Sequence, residues 1–238
     1  MKLFSLDSPL MQVLNKIADL MWLNVLTLIC CLPVVTIGAS LTAMNYMTLK
    51  MARNEECYIT RGFFKSFREN FKQATIIWLI FLLVIVVLGA DFIIMSGGSE
   101  TGAGKVLWGV IMAVALLVVA AFLYVFPVLA KFDNTVFRTI KNALMMSLMQ
   151  FPKTIVMLVA YAAPPVLFFA VPQVMPLCIL FGLSAPAWLS AKLYSKFFKK
   201  LEDQVLAANP PAEEEDGQED ERIFKDELDP ALTEKDVT

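Results

Sequence analysis

Four long stretches of this chain carry no charge. Residues 20–49, 73–90, 106–130 and 154–191 contain no Asp, Glu, Lys or Arg. One helical crossing of a bilayer's hydrocarbon layer takes about 20 apolar residues. The pattern therefore predicts an all-α, polytopic helical membrane protein. The first run is interrupted by Pro33, which removes a backbone donor, and by Gly38. It reads as one tilted, kinked helix at about 20–44. The competing reading is a re-entrant hairpin of two half-helices. The last run is 38 residues long. As one helix it would reach about 57 Å, nearly twice the hydrocarbon thickness. The segment VPQVMP divides it. Five transmembrane helices follow, at about 20–44, 74–95, 106–130, 151–170 and 175–193.

Between these runs the pattern changes to helical amphipathicity. Phe63, Phe67 and Phe71 recur every four residues, and Phe64 widens their sector. Arg61, Lys65, Arg68 and Lys72 lie among them. Such a segment reads as an interfacial helix feeding the second crossing, with basic groups available to headgroups or a partner. The stretch before the fourth crossing follows the same logic. Arg138 and Lys141 lie one turn apart, followed by Leu144, Met145, Leu148 and Met149. The docking candidates are thus Arg61, Phe63, Phe64, Lys65, Phe67, Arg68, Arg138 and Lys141.

Charge orients the helices. With five crossings, 14 Lys/Arg fall on one side (Lys50 to Lys72, Lys131 to Lys153, Lys192 to Lys200) and three, Lys2, Lys16 and Lys105, on the other. The positive-inside rule then places the N-terminus outside and the C-terminus in the cytoplasm. A re-entrant first segment would move only the N-terminus inside. The net charge of −2 conceals a division: residues 1–201 sum to +9 and residues 202–238 to −11. The chain reads as a transmembrane domain, 1–201, and an acidic cytoplasmic tail, 202–238. Pro210, Pro211 and the acidic run favour disorder in the tail. Its charge also suits a contact with the basic loops.

The chemistry-bearing residues are sparse. The hydrophobic share is 58% and histidine is absent. Cys30, Cys31, Cys57 and Cys178 lack metal-ligand spacing and read as small buried hydrophobes. No nucleotide loop, carboxylate pair or activated nucleophile stands out. The expectation is no enzyme, no cofactor, no metal and no nucleic acid. The first crossing is unusually polar. Asn24, Thr36, Thr42 and Asn45, with Pro33 and Gly38, are candidates for helix packing or solute contact. Asp91 joins them as the one acidic residue inside an apolar run.

Two blocks carry a resemblance. The first runs through Trp22, Asn24, Pro33, Thr36, Gly38, Thr42, Ala43 and Tyr46. The second runs through Arg61, Phe63, Phe64, Phe67, Asn70 and Phe71. Together they resemble the bacterial YesL-like family of integral membrane proteins, over roughly residues 1–201. The resemblance implies a multi-pass protein of the bacterial cell membrane with unknown molecular function. It also implies an association with carbohydrate-utilisation genes. Three readings remain open. One is an accessory protein for carbohydrate uptake or sensing, partnered by carbohydrate ABC importer subunits or a sensor kinase. Another is a small oligomeric permease for a sugar or oligosaccharide, which makes homo-oligomers expected. The third is a structural membrane protein without transport activity. All three share the lipid bilayer as partner.

Overall fold

The structure is a computed structural model and describes residues 9–55, 58–96, 102–132 and 134–208. Among them there are helices and no strand. The helices are α1 (Pro9–Cys30), α2 (Ile37–Arg53), α3 (Ile59–Ser96), α4 (Gly102–Lys131), α5 (Val136–Met149), α6 (Phe151–Ala170), α7 (Met175–Phe181) and α8 (Ser184–Ala208). The all-α expectation holds. Four helices are long and apolar enough to cross a membrane: Leu10–Cys30, Ile59–Ile94, Val106–Lys131 and Phe151–Ala170. The pair α7 and α8, bent by 50°, supplies a fifth candidate.

The first run departs from the single kinked helix expected at 20–44. Pro33 is extended, and α1 stops at Cys30. The Thr36 hydroxyl donates to the carbonyls of Cys30 and Pro33, at 2.6 and 2.8 Å, which satisfies acceptors exposed by the break. The chain then reverses. Lys16 Nζ meets Asn54 Oδ1 at 2.5 Å, and Trp22 Nε1 donates to Thr60 Oγ1 at 2.9 Å. Helices α1 and α2 therefore form an antiparallel hairpin. A proline marks where a helix breaks but carries no direction, so the sequence left the reversal open.

The hairpin stops partway along α3. A Cβ on Gly38 would lie 2.4 Å from the Ala74 carbonyl oxygen and 2.7 Å from Trp78 Cβ. Thr75 Oγ1 donates to Val35 O at 3.3 Å. The tip thus sits beside Ala74–Trp78, where α3 has just lost its last cation, Lys72. From Trp78, α3 runs another 18 residues to Ser96, about 27 Å at the helical rise, close to a hydrocarbon thickness. The tip's Leu32, Val34 and Val35 are exposed at this boundary. The amphipathic segment and the expected 74–95 crossing are one continuous helix.

Helix α2 is the inner element. Although it carries Ser40, Thr42, Asn45 and Thr48, most of it is buried against α1, α3, α4 and α8. These side chains bond backward to carbonyls of their own helix: Ser40 to Thr36, Thr42 to Gly38, Asn45 to Leu41 and Thr48 to Asn45. Their bulk is small and much of their polarity is consumed locally, so neighbouring helices approach closely. Asn54 ends α2 in the left-handed region, φ 59°.

Helix α4 returns along α3. Phe122 packs on Trp78 and Phe81, at 6.1 and 5.5 Å between ring centroids. Helix α5 folds back on α4, and Gln150 joins it to α6. The α6 boundaries agree with the expected 151–170. The crossing expected at 175–193 is instead broken between Phe181 and Ser184, and α8 continues to Ala208. The body therefore extends past the expected boundary at 201; residues 209–238 lie outside the described residues.

The close α2–α3 approach yields a test with opposite signs. Gly38→Ala should destabilise the protein by about 1–3 kcal/mol, the usual cost of overpacking. Gly89 has nothing within 4 Å of its would-be Cβ, so Gly89→Ala should leave stability unchanged or raise it by about 1 kcal/mol through helix propensity. Thermal unfolding of both purified variants in one detergent checks this, and equal shifts would refute the close approach.

Candidate functional site

The α3 segment from Arg61 to Lys72 divides its side chains by face. Phe63 is fully buried, and Phe67 and Phe71 pack beside it into the cores around α2. Their rings form a continuous stack, with centroids 6.2 Å apart for Phe63–Phe67 and 5.5 Å for Phe67–Phe71. Phe63 is thus removed from any docking surface, and Phe67 is half-buried beside it. The four-residue period was legible, but not the side on which α2 would cover it. Phe64 remains exposed, as do Arg61, Lys65, Arg68 and Lys72. Lys65 lies 3.9 Å from Glu69. The surviving surface is a basic stripe with one aromatic.

Helix α5 keeps both expected cations exposed. Arg138 and Lys141 flank an outward face of Phe137, Leu144, Met145 and Leu148. The opposite face, Thr139, Ala143, Met146 and Ser147, is buried. An apolar outer face edged by cations, leading into an apolar crossing, suits the bilayer interface.

The polar candidates of the first run have structural partners. Asn24 is fully buried and bridges the α7–α8 break. Its Nδ2 donates to Ile179 O at 2.7 Å, and its Oδ1 accepts from the backbone N–H groups of Leu183 and Ser184, at 3.0 and 2.9 Å. One carboxamide thus closes the end of one helix and the start of the next, as a cap does. Pro33 and Thr36 form the hairpin turn. Gly38 lies in the α2–α3 contact, and Thr42 is buried one turn on with its hydroxyl on the Gly38 carbonyl. Asn45 Nδ2 is used, whereas its buried Oδ1 has no partner. Asp91 stands apart, half-buried on the apolar far half of α3.

A charged centre escaped the sequence reading. Arg53, at the end of α2, grips Glu202 of α8 through both terminal nitrogens, at 3.1 and 2.7 Å. Lys131, at the end of α4, lies 3.8 Å from the same carboxylate. Glu202 is buried. The geometry is a bidentate charge-assisted pair joined by a second cation, and it ties three helix ends together. Residues 149 positions apart offer no local signal. A trace existed nonetheless: Tyr194 and Phe198 recur every four residues on the buried face of α8, and Glu202 is the next position in that series.

Residues 20–92 match a family described as "Protein of unknown function, DUF624". YesL-like proteins belong to this uncharacterised family, so the match agrees with the resemblance carried by the two sequence blocks over that segment, which is under a third of the chain. The match takes in part of α1, all of α2 and most of α3: the hairpin and the helix that it clasps. No curated protein and no solved structure matches the chain.

Removing Glu202 should expose what the charged centre contributes. Glu202→Gln would take the shared carboxylate from Arg53 and Lys131 and leave Arg53 the longer contact to Glu55, at 3.9 Å. A loss of about 2–3 kcal/mol is expected, less than for a fully stranded buried charge. Glu202→Gln combined with Arg53→Met should recover part of it. Unfolding in detergent measures both, and a loss below about 1 kcal/mol would class the contact with ordinary surface pairs.

Proposed function

We propose that this protein is an accessory membrane protein that acts by binding a partner through its basic end, in carbohydrate uptake or its sensing. The observation that carries the docking reading is the uneven distribution of packed structure. The hairpin, the aromatic stack, the Arg53–Glu202 pair and the basic stripe all gather where α2 lies. Beyond Trp78, α3 and α4 form a thin apolar pair; only 11% and 6% of their most apolar stretches are buried. The chain thus invests its internal order beside a basic surface outside its most apolar part. The carbohydrate context rests on the family resemblance alone.

The proposed orientation follows from the hairpin. Lys16 meets Asn54, and Glu202 meets Arg53, so the start of α1 and the far part of α8 lie at the same basic end. By the positive-inside rule that end is cytoplasmic. This reading differs from the outside N-terminus expected from a single first crossing and takes the inside N-terminus that a re-entrant first segment allows. A small oligomeric permease is the second reading, favoured by the long uncovered face of α3 and α4. Uptake of a sugar by vesicles holding this chain alone would select it.

Two outcomes are expected. An N-terminal tag should be protected from protease in intact cells and cleaved after permeabilisation; cleavage in intact cells would reject the paired orientation. Replacing Arg61, Lys65 and Arg68 together by Ala should leave membrane insertion intact. Recovery of an importer subunit or sensor kinase after gentle crosslinking should fall about tenfold, in line with three exposed charge contacts of about 0.5 kcal/mol each. Unchanged recovery would dismiss this stripe as the dock.

A further inference from the structure

The basic stripe of α3 and the chain beyond α8 are complementary in charge, and α8 ends at the same basic end of the body. Arg61, Arg68 and Lys72 are spaced by seven and four residues, so they share one exposed face, opposite the buried phenylalanines. Residues 209–238 carry 12 acidic and three basic side chains, and seven of the acids fall within Glu213–Glu221. The grip of Arg53 on Glu202 holds α8 against the end of α2, and α8 ends six residues later at Ala208. Arg53 lies six positions before the start of α3, so α8 delivers the chain near the Arg61 end of the stripe.

We propose that Glu213–Glu221 occupies the α3 stripe of its own chain and covers it until a partner displaces it. The covering role rests on the docking reading above; the intramolecular contact does not. The reach is sufficient. Four residues separate Ala208 from Glu213, so the five steps between them reach up to about 17 Å of extended chain. The acidic cluster itself extends up to about 30 Å, against about 17 Å for the helical stripe from Arg61 to Lys72. Exposed ion pairs are individually weak. Tethering gives the segment a local concentration in the millimolar range, which makes several weak pairs sufficient.

Anionic headgroups are the competing occupant, and the lipid arm of the experiment below separates them. The segment Glu213–Glu221 carries seven carboxylates to set against the cations of the stripe.

The test uses the full chain in nanodiscs of neutral lipid, with a zero-length carbodiimide that joins carboxylates to lysines. Mixed isotopic labels separate links within one chain from links between copies. We expect links from Glu213–Glu221 to Lys65 and Lys72 within one chain. Arg61→Glu with Arg68→Glu keeps both target lysines and should lower the yield about tenfold, as should 0.5 M salt. A normal thermal transition shows that this surface variant is folded. Links confined to Lys196, Lys199 and Lys200 would overturn the assignment, as would links only between copies or a yield indifferent to the charge reversal. Loss of the links on adding anionic lipid at 0.1 M salt would give the stripe to the membrane instead. Deleting residues 209–238 should raise partner recovery several-fold. Unchanged recovery of a recovered partner would overturn the covering role alone. Recovery of no partner from either chain would count against the docking reading and leave the crosslink result standing.

Discussion

The fold depends on how near α2 comes to α3. The Gly38 position leaves no room for a Cβ against the Ala74 carbonyl. At that separation a large polar side chain would not fit, and an unpaired one would be costly. Helix α2 meets both conditions by carrying Ser, Thr and Asn that bond back to their own turn. It thereby becomes a slim rod, polar in composition and largely neutralised toward its neighbours. Helices α1, α3, α4 and α8 can then close around it, and the phenylalanines of α3 have a surface to stack against. The charged centre lies at the foot of this rod, where α2 ends in Arg53.

A bilayer favours a slim rod of this kind. Association inside lipid gains little from burying apolar surface, because acyl chains are as apolar as leucine, so close approach and local hydrogen bonds carry the packing. The densely packed, amphipathic parts of α3, α5 and α8 lie with the cations. The sparsely covered parts of α3 and α4 lie beyond the hairpin tip, where lipid can cover them. The exposed Leu32, Val34 and Val35 of that tip fall at the junction of these two regimes.

Much of this was legible in the chain. Charge-free runs located α4 and α6 within a few residues, because a bilayer's thickness acts on composition and length alone. Phenylalanine spacing located the amphipathic part of α3. Pro33 located the break in the first run. What was illegible depends on which helices meet. The reversal after Pro33 is fixed by contacts of Lys16 and Trp22 with residues 38 positions away. The inward turn of Phe63 and Phe67 is fixed by α2. The pairing of Arg53 with Glu202 joins residues on either side of the division drawn by charge, because a tally counts Glu202 with the acids that follow it while α8 runs through that position.

The polar residues of the first run illustrate how a structural need can imitate a functional one. Asn24, Thr36 and Thr42 looked suited to contact a solute. A helix broken inside a membrane protein must satisfy the backbone groups that the break releases. Asn24 does so at the α7–α8 break and Thr36 at the hairpin turn, each with two or more partners in place. A side chain already holding such bonds can engage a solute only by giving them up. The polarity of this run therefore argues for a rigid clasp on α3. The cations on the outer face of α3 are constrained in the opposite sense: the buried phenylalanines hold the helix in place and leave its basic stripe facing outward, where a partner or the chain's own acidic segment can reach it.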